Sequence, residues 1–272
     1  MLKKAHPVEG DEEISFDAES HVYTVRGAPV PISVTKVIET HAIPEEHRFD
    51  GPAVIKRNLK RWREGSSSQY REILAGTNDE EGMQIVQQHW AETAAKGTAM
   101  HALFEDALNG VWRDATGYES EMEQFRDAMV SIRKQMTPVR TELSVFVNGS
   151  DGKAAVAGQI DLLAVHQRTG VYHLIDFKRT PKDLRPEAFA YGKTFCKNKL
   201  PLNDYHKYSL QLSMYAVMLK AQTGYDVAAR GHILQIHPQL EGAQCIEAAD
   251  LQEEARELLK RVGAVVNSHT SE

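Results

Sequence analysis

The sequence predicts an α/β fold whose core runs helix, three-stranded meander, helix, strand, with a hairpin and a helical region added at the N-terminus. Three observations predict it. A long helical pattern spans residues 79 to 109, and three consecutive runs rich in valine, leucine and isoleucine follow at 139 to 148, 154 to 166 and 171 to 178. An amphipathic stretch at 204 to 221 then precedes one more apolar run at 230 to 237.

The elements follow in order. Residues 14 to 26 alternate apolar and polar around a central turn and read as a hairpin, and PVPISV leads to Ser33 as a helix N-cap. Residues 46 to 64 read as a helix ending in the basic run KRNLKRWR, with a short helix near 69 to 75 after Gly65. The pattern that starts at Asp79 persists through Gly82 and Gly97, and Asn109-Gly110 supplies its stop. Another helix is expected over 118 to 135. The three strand-like runs are separated by Asn148-Gly149 and Thr169-Gly170, so the simplest arrangement is an antiparallel meander. A further strand at 243 to 247 and a helix at 249 to 265 complete the chain. The extension is placed at residues 1 to 78 and the core at 79 to 272.

Composition narrows the function classes. The 272 residues can bury one elaborated core, and 42% hydrophobic with 26% charged residues is neither a disordered nor a fibrous composition. No window approaches the run of about 18 apolar residues that a membrane span requires. The N-terminus, MLKKAHPVEGDEE, lacks the apolar stretch of a secretory signal, so an intracellular protein with no membrane partner is expected. Two cysteines, Cys196 and Cys245, are too few for a disulfide framework, a four-thiolate zinc site or a four-cysteine iron-sulfur cluster. The net charge of −6 argues against a generally basic coat for nucleic acid. Residues 178 to 199 nevertheless hold seven cations (Lys178, Arg179, Lys182, Arg185, Lys193, Lys197, Lys199) against Asp183 and Glu187, a local balance of +5. Such a segment reads either as a phosphate-meeting stripe or as a solvated loop.

The chemistry gathers at strand ends. Asp161 lies in GQID on the second strand of the meander, and Asp176 ends the third within LIDFKRT. Carboxylates in apolar runs are costly to bury unless a cation or donor neutralises them. A magnesium-like ion suits them, because hard divalent ions take oxygen ligands and bridge carboxylates to phosphate. In Asp176-Phe177-Lys178 the two-residue period puts aspartate and lysine on one face, with Phe177 on the other. Metal ligand and ammonium group then address one phosphate, with Glu142 on the first strand as a third carboxylate.

With these residues the chain resembles the PD-(D/E)XK nuclease superfamily, specifically its RecB-like exonuclease branch, which includes the mitochondrial genome-maintenance exonuclease and phage exonucleases. Gly97 to His101 (GTAMH) resembles that branch's G-T-x-x-H, Glu142 its first-strand acid, Gly158 to Asp161 its G-x-x-D, DFK its D-x-K, and Gln211 to Tyr215 (QLSMY) its Q-x-x-x-Y; PISVTKVIE is loosely similar to a P-S-V-T segment. The resemblance covers residues 97 to 215 and implies a restriction-endonuclease-like core. It further implies Mg2+ or Mn2+ held by His101, Asp161, Asp176 and the Phe177 carbonyl, with Lys178 catalytic and Glu142 assisting through a second metal or a water. Gln211 and Tyr215 would orient the lysine and a DNA end, and Arg179, Lys182 and Lys193 would meet DNA. Some relatives hold an iron-sulfur cluster through cysteines absent here, and no P-loop GKS or GKT motif is present, so any motor would be a separate polypeptide.

The function so implied is a metal-dependent DNA exonuclease working on ends in recombination, repair or replication, with single-strand-binding or recombination proteins as partners. A flap-type endonuclease with the same centre, and a non-catalytic DNA-binding module, are the alternatives. Taken alone, His101 reads as a packed or surface residue, Tyr215 as core, and Lys60, Arg61, Trp62 and Arg63 either as a base-stacking cluster or as a solvated helix end.

Overall fold

The computed structural model describes residues 1–65, 68–190, 195–197 and 199–266. A short helix, α1 (Leu2–Ala5), opens the chain. The N-terminal alternation folds as a hairpin, β1 (Ile14–Asp17) against β2 (Val22–Val25), extended by β3 (Ala28–Pro29). The chain then enters the main sheet through β4 (Ile32–Ser33). Ser33 caps α2 (Val34–Val37), its hydroxyl accepting the Lys36 N–H at 3.3 Å, and a π-helical turn continues over Ile38–Ala42.

Helix α3 (Gly51–Glu64) begins five residues later than the pattern suggested, because Pro52 belongs in a helix's first turn and the Asp50 side chain caps Ala53 N–H at 3.1 Å. Residues 69 to 75 form consecutive turns, not a helix, with Tyr70 and Leu74 buried against α3. Helix α4 (Asp79–Leu108) starts in a reciprocal capping box between Asn78 and Glu81, and α5 (Glu119–Ile132) follows. The meander is as expected, with β5 (Met136–Asn148), β6 (Ala154–His166) and β7 (Tyr172–Arg179) all antiparallel. Helix α6 (Asp204–Thr223), ended by Gly224 at φ 69°, then β8 (His232–Ile236), β9 (Gln244–Glu247) and α7 (Gln252–Arg261) complete it.

The architecture is therefore mixed α/β around a six-stranded sheet of order β4-β6-β7-β8-β9, with β5 on the other edge of β6. One face packs on α6 and α7, burying Leu143, Ile160, Leu163, Leu212 and Leu259; the other packs on α4 and α5, burying Met100, Phe104, Phe125, Leu162 and Phe177. No described helix is long and apolar enough to cross a membrane. The site depends on one irregularity. β6 pairs in parallel with β4 at Val156 and Ala157, and with β7 from Leu162 to Val165. On that edge, residues 158 to 161, the GQID motif, lie between two partners and have no strand alongside.

Candidate metal and nuclease site

Where β6 and β7 part, backbone donors need other partners. The Phe177 N–H donates to Asp161 Oδ2 at 2.7 Å, and the Phe177 carbonyl lies 2.9 Å from His101 Nε2. His101 comes from α4, packed over the sheet face that holds Phe177, and its Nδ1 lies 3.6 Å from Asp161 Oδ1. Glu142 arrives by a kink. It falls between the Thr141–Leu162 and Leu143–Ile160 pairs, opposite Asp161, and takes φ 46°, a left-handed conformation that costs a non-glycine residue about 1–3 kcal/mol. The ligand atoms of His101, Glu142 and Asp161 all lie within 4.8 Å of one another.

Asp176 and Lys178 share a face of β7, as the two-residue period requires. Lys178 Nζ lies 2.6 Å from Asp176 Oδ2 and 4.8 Å above the Tyr208 ring. On α6, Tyr208, Gln211 and Tyr215 recur at helical spacing, and Gln211 donates to the Tyr215 hydroxyl at 3.1 Å. Gly158 is the close-approach residue of GQID, since a Cβ there would lie 2.5 Å from Tyr215 Cε1.

Electrostatics reflects the crowding. Burial pushes the Glu142 carboxyl up to about 8, with Asp161 adding to it, and pushes Asp176 up to about 6 against the pull of Lys178. Asp161 is held below its ordinary value: burial opposes this, and His101, Lys178 and the Phe177 N–H outweigh it. Burial disfavours a charged His101, yet Asp161 raises it to about 9. Lys178 is likewise buried, and Asp176 and Asp161 hold its proton above the ordinary lysine range.

The carboxylate oxygens of Glu142 and Asp161, gathered round the His101 imidazole, are a donor set that fits a divalent cation. The Phe177 carbonyl, 2.9 Å from His101 Nε2, faces the same cluster. His101, Glu142, Asp161 and that carbonyl could therefore be ligands. Asp176 sits beside them, its carboxylate engaged with Lys178.

Other expected residues are dispersed. Arg179 points away from Lys178 and is bonded to Glu121 of α5 at 2.8 Å, both side chains nearly buried, so it holds α5 to the sheet instead of presenting a cation to DNA. The cause is again strand alternation. Lys182 lies at the α6 N-terminus, paired with Asp204 at 2.8 Å. Lys193 lies outside the described residues. Four neighbours were not anticipated: Tyr208; Glu105, four residues after His101 on α4; Gln159, whose amide donates to the Glu142 carbonyl at 3.2 Å; and Tyr23, raised above its ordinary value by burial and by Glu142 and Asp161. Helical spacing from Gln211 and His101 signalled the first two; nothing local signalled Tyr23.

Two solved structures resemble the fold: SSO0001, at 15% identity over 85% of this chain and 73% of that chain with a TM-score of 0.35, and a protein from Eubacterium rectale named as a candidate exonuclease, at 13% identity over 81% and 82% with a TM-score of 0.38. No curated protein matches the sequence. The family profile described as the PD-(D/E)XK nuclease superfamily matches residues 59–269, most of the chain, and the protein belongs to that superfamily.

Proposed function

We propose that the protein is a Mg2+- or Mn2+-dependent DNA exonuclease of the RecB-like branch, acting at DNA ends in recombination, repair or replication. The observation that carries this reading is the meeting of His101, Glu142 and Asp161 within 4.8 Å, beside the Asp176–Lys178 pair. A bound divalent ion would supply a polarised phosphate oxygen and an activated water. The chain's own residues do the rest. Asp161 accepts the Phe177 N–H, and since a strand residue's N–H and carbonyl point to the same side, the Phe177 carbonyl faces the ligand cluster too. Lys178, held 2.6 Å from Asp176 beside the cluster, places a positive charge where the phosphate and leaving oxygen would lie. The Tyr208 ring beneath Nζ holds that charge in place. Gln211 and Tyr215 support the end-directed reading through the branch's Q-x-x-x-Y element.

The test is digestion of end-labelled linear DNA and of covalently closed single-stranded circles, in Mg2+, Mn2+ or EDTA. Metal-dependent loss of linear strands with intact circles is expected, and Lys178→Ala should retain metal binding while kcat falls about 10²- to 10³-fold. Rapid cutting of circles would make the enzyme an endonuclease. Equal, metal-independent inertness of wild type and Asp176→Ala would leave only a DNA-binding module.

A further inference from the structure

Helix α4 does two jobs at its two ends. Its second half carries His101, while its first half packs on α3 in a separate small core of Ile55, Leu59, Tyr70, Leu74 and Val86, joined by Trp62 and Trp90. Between them residues 91 to 96 are exposed without exception, so about one and a half turns of helix bridge the two bodies bare. Trp90 and His101 are eleven residues apart, close to three full turns, so they lie on the same side of α4, roughly 16 Å apart along its axis. Ala94 and Gly97 occupy that side between them, and a Cβ on Gly97 would meet nothing.

The far end of this open stretch carries an aromatic that the fold leaves out. Phe49 is 70% exposed, its ring tilted at 49° against Trp90 with centroids 5.5 Å apart. Immediately after it comes α3, whose outer face shows Lys56, Arg57, Lys60 and Arg61, all exposed. No described carboxylate pairs with any of the four; the one bond among them joins Arg61 to the Asn58 amide oxygen at 2.8 Å. A chain of net charge −6 that concentrates unpaired cations here has complementarity for a polyanion. The basic run of α3 is thus divided by the fold. Trp62 is packed against Tyr70 at 4.6 Å and Arg63 is bonded to Asp79 at 2.9 Å, so both are engaged within the fold.

We infer that the α3–α4 module holds a single strand of DNA whose other part lies at the metal site, with a base stacked on Phe49 and phosphates on Lys56, Arg57, Lys60 and Arg61. The inference rests on the nuclease reading above and names the form of its substrate. A single strand is chosen over a duplex because every unpaired base offers a stacking face to an exposed ring, whereas a duplex hides all but its terminal faces unless it is kinked open. The span from His101 to Trp90 corresponds to about five stacked nucleotides at roughly 3.4 Å each.

The test uses the full chain in EDTA, so that nothing is cut, with a fluorescent oligothymidylate and a blunt hairpin duplex of equal length, titrated across KCl concentrations by anisotropy. Phe49→Ala should weaken the single strand about tenfold or more and leave the duplex unchanged. The combined Lys56→Ala, Arg57→Ala, Lys60→Ala and Arg61→Ala variant should lower the slope of log affinity against log salt by up to about 3, at about 0.7 per lost contact. Phe49→Leu, which keeps an apolar cover over Trp90 and Gly51 but no stacking face, should repeat the Phe49→Ala result and separates stacking from misfolding. Unchanged single-strand affinity in both Phe49 variants, equal losses on strand and hairpin, or an unchanged salt slope would each overturn the inference. Hydrolysis of the same oligomer in Mn2+ is followed in parallel. Absent hydrolysis with the expected binding pattern would sink the nuclease reading alone, and hydrolysis without that pattern would sink this inference alone.

Discussion

Gly158→Ala should destabilise the protein more than its chemistry suggests. A methyl group at Gly158 would lie 2.5 Å from Tyr215 Cε1 and 3.1 Å from Val34 Cγ2, about an ångström inside ordinary contact on the first count. Neither neighbour can retreat cheaply: Tyr215 is a rigid ring, 4% exposed, and Val34 is fully buried under α6. Overpacking of this kind costs about 1–3 kcal/mol. At about 2 kcal/mol, and roughly 2–4 °C per kcal/mol for a chain of this size, Tm should fall by roughly 4–8 °C. Thermal and urea unfolding of Gly158→Ala, alone and in a Tyr215→Leu background, measures it. If the ring is the obstacle, the cost shrinks by more than half in that background. A cost below about 0.5 kcal/mol, or the same cost in both backgrounds, would refute the reasoning.

Three further outcomes are expected. Arg140 is 1% exposed and bonded to Asp11, with Nη2 to Oδ1 at 2.9 Å, so Asp11→Asn, which strands the guanidinium, should cost about 3–5 kcal/mol. Burial pushes the Asp11 carboxyl up but Arg140 pulls it further down; its folded pKa is thus below the unfolded one, and its contribution is complete above about pH 4 and lost on acidification below it, so wild-type and variant stabilities should converge only in strong acid by denaturant titration at several pH values. Gly97→Ala should raise unfolding free energy by about 0.5–1 kcal/mol, since the space beside it is open; a lower Tm would mean that the site is crowded. Mn2+ at about 100 times its Kd should stabilise the fold by about 2.7 kcal/mol, and Asp161→Asn should abolish that increment in a thermal-shift titration; an equal shift in the variant would remove Asp161 from the ligands.

Much of this protein is written locally. The period-two runs of β5 to β7 and the helical spacing of α4 and α6 determine their own elements, because burying one face needs only the right repeat. The same repeats assign Asp176 and Lys178 to one side of β7 and Gln211 and Tyr215 to one side of α6. Arg179 follows the same alternation, but its engagement with Glu121 could not be read from it, because the partner lies 58 residues away. Tertiary structure alone decided three things. The gap between β4 and β7 along β6 leaves the Phe177 N–H for Asp161 to bind. The left-handed kink turns Glu142 toward His101. The packing of α3 on α4 half-buries Trp62 and leaves Phe49 exposed. Each depends on contacts between segments distant in the chain, and no propensity or spacing within one segment carries that information.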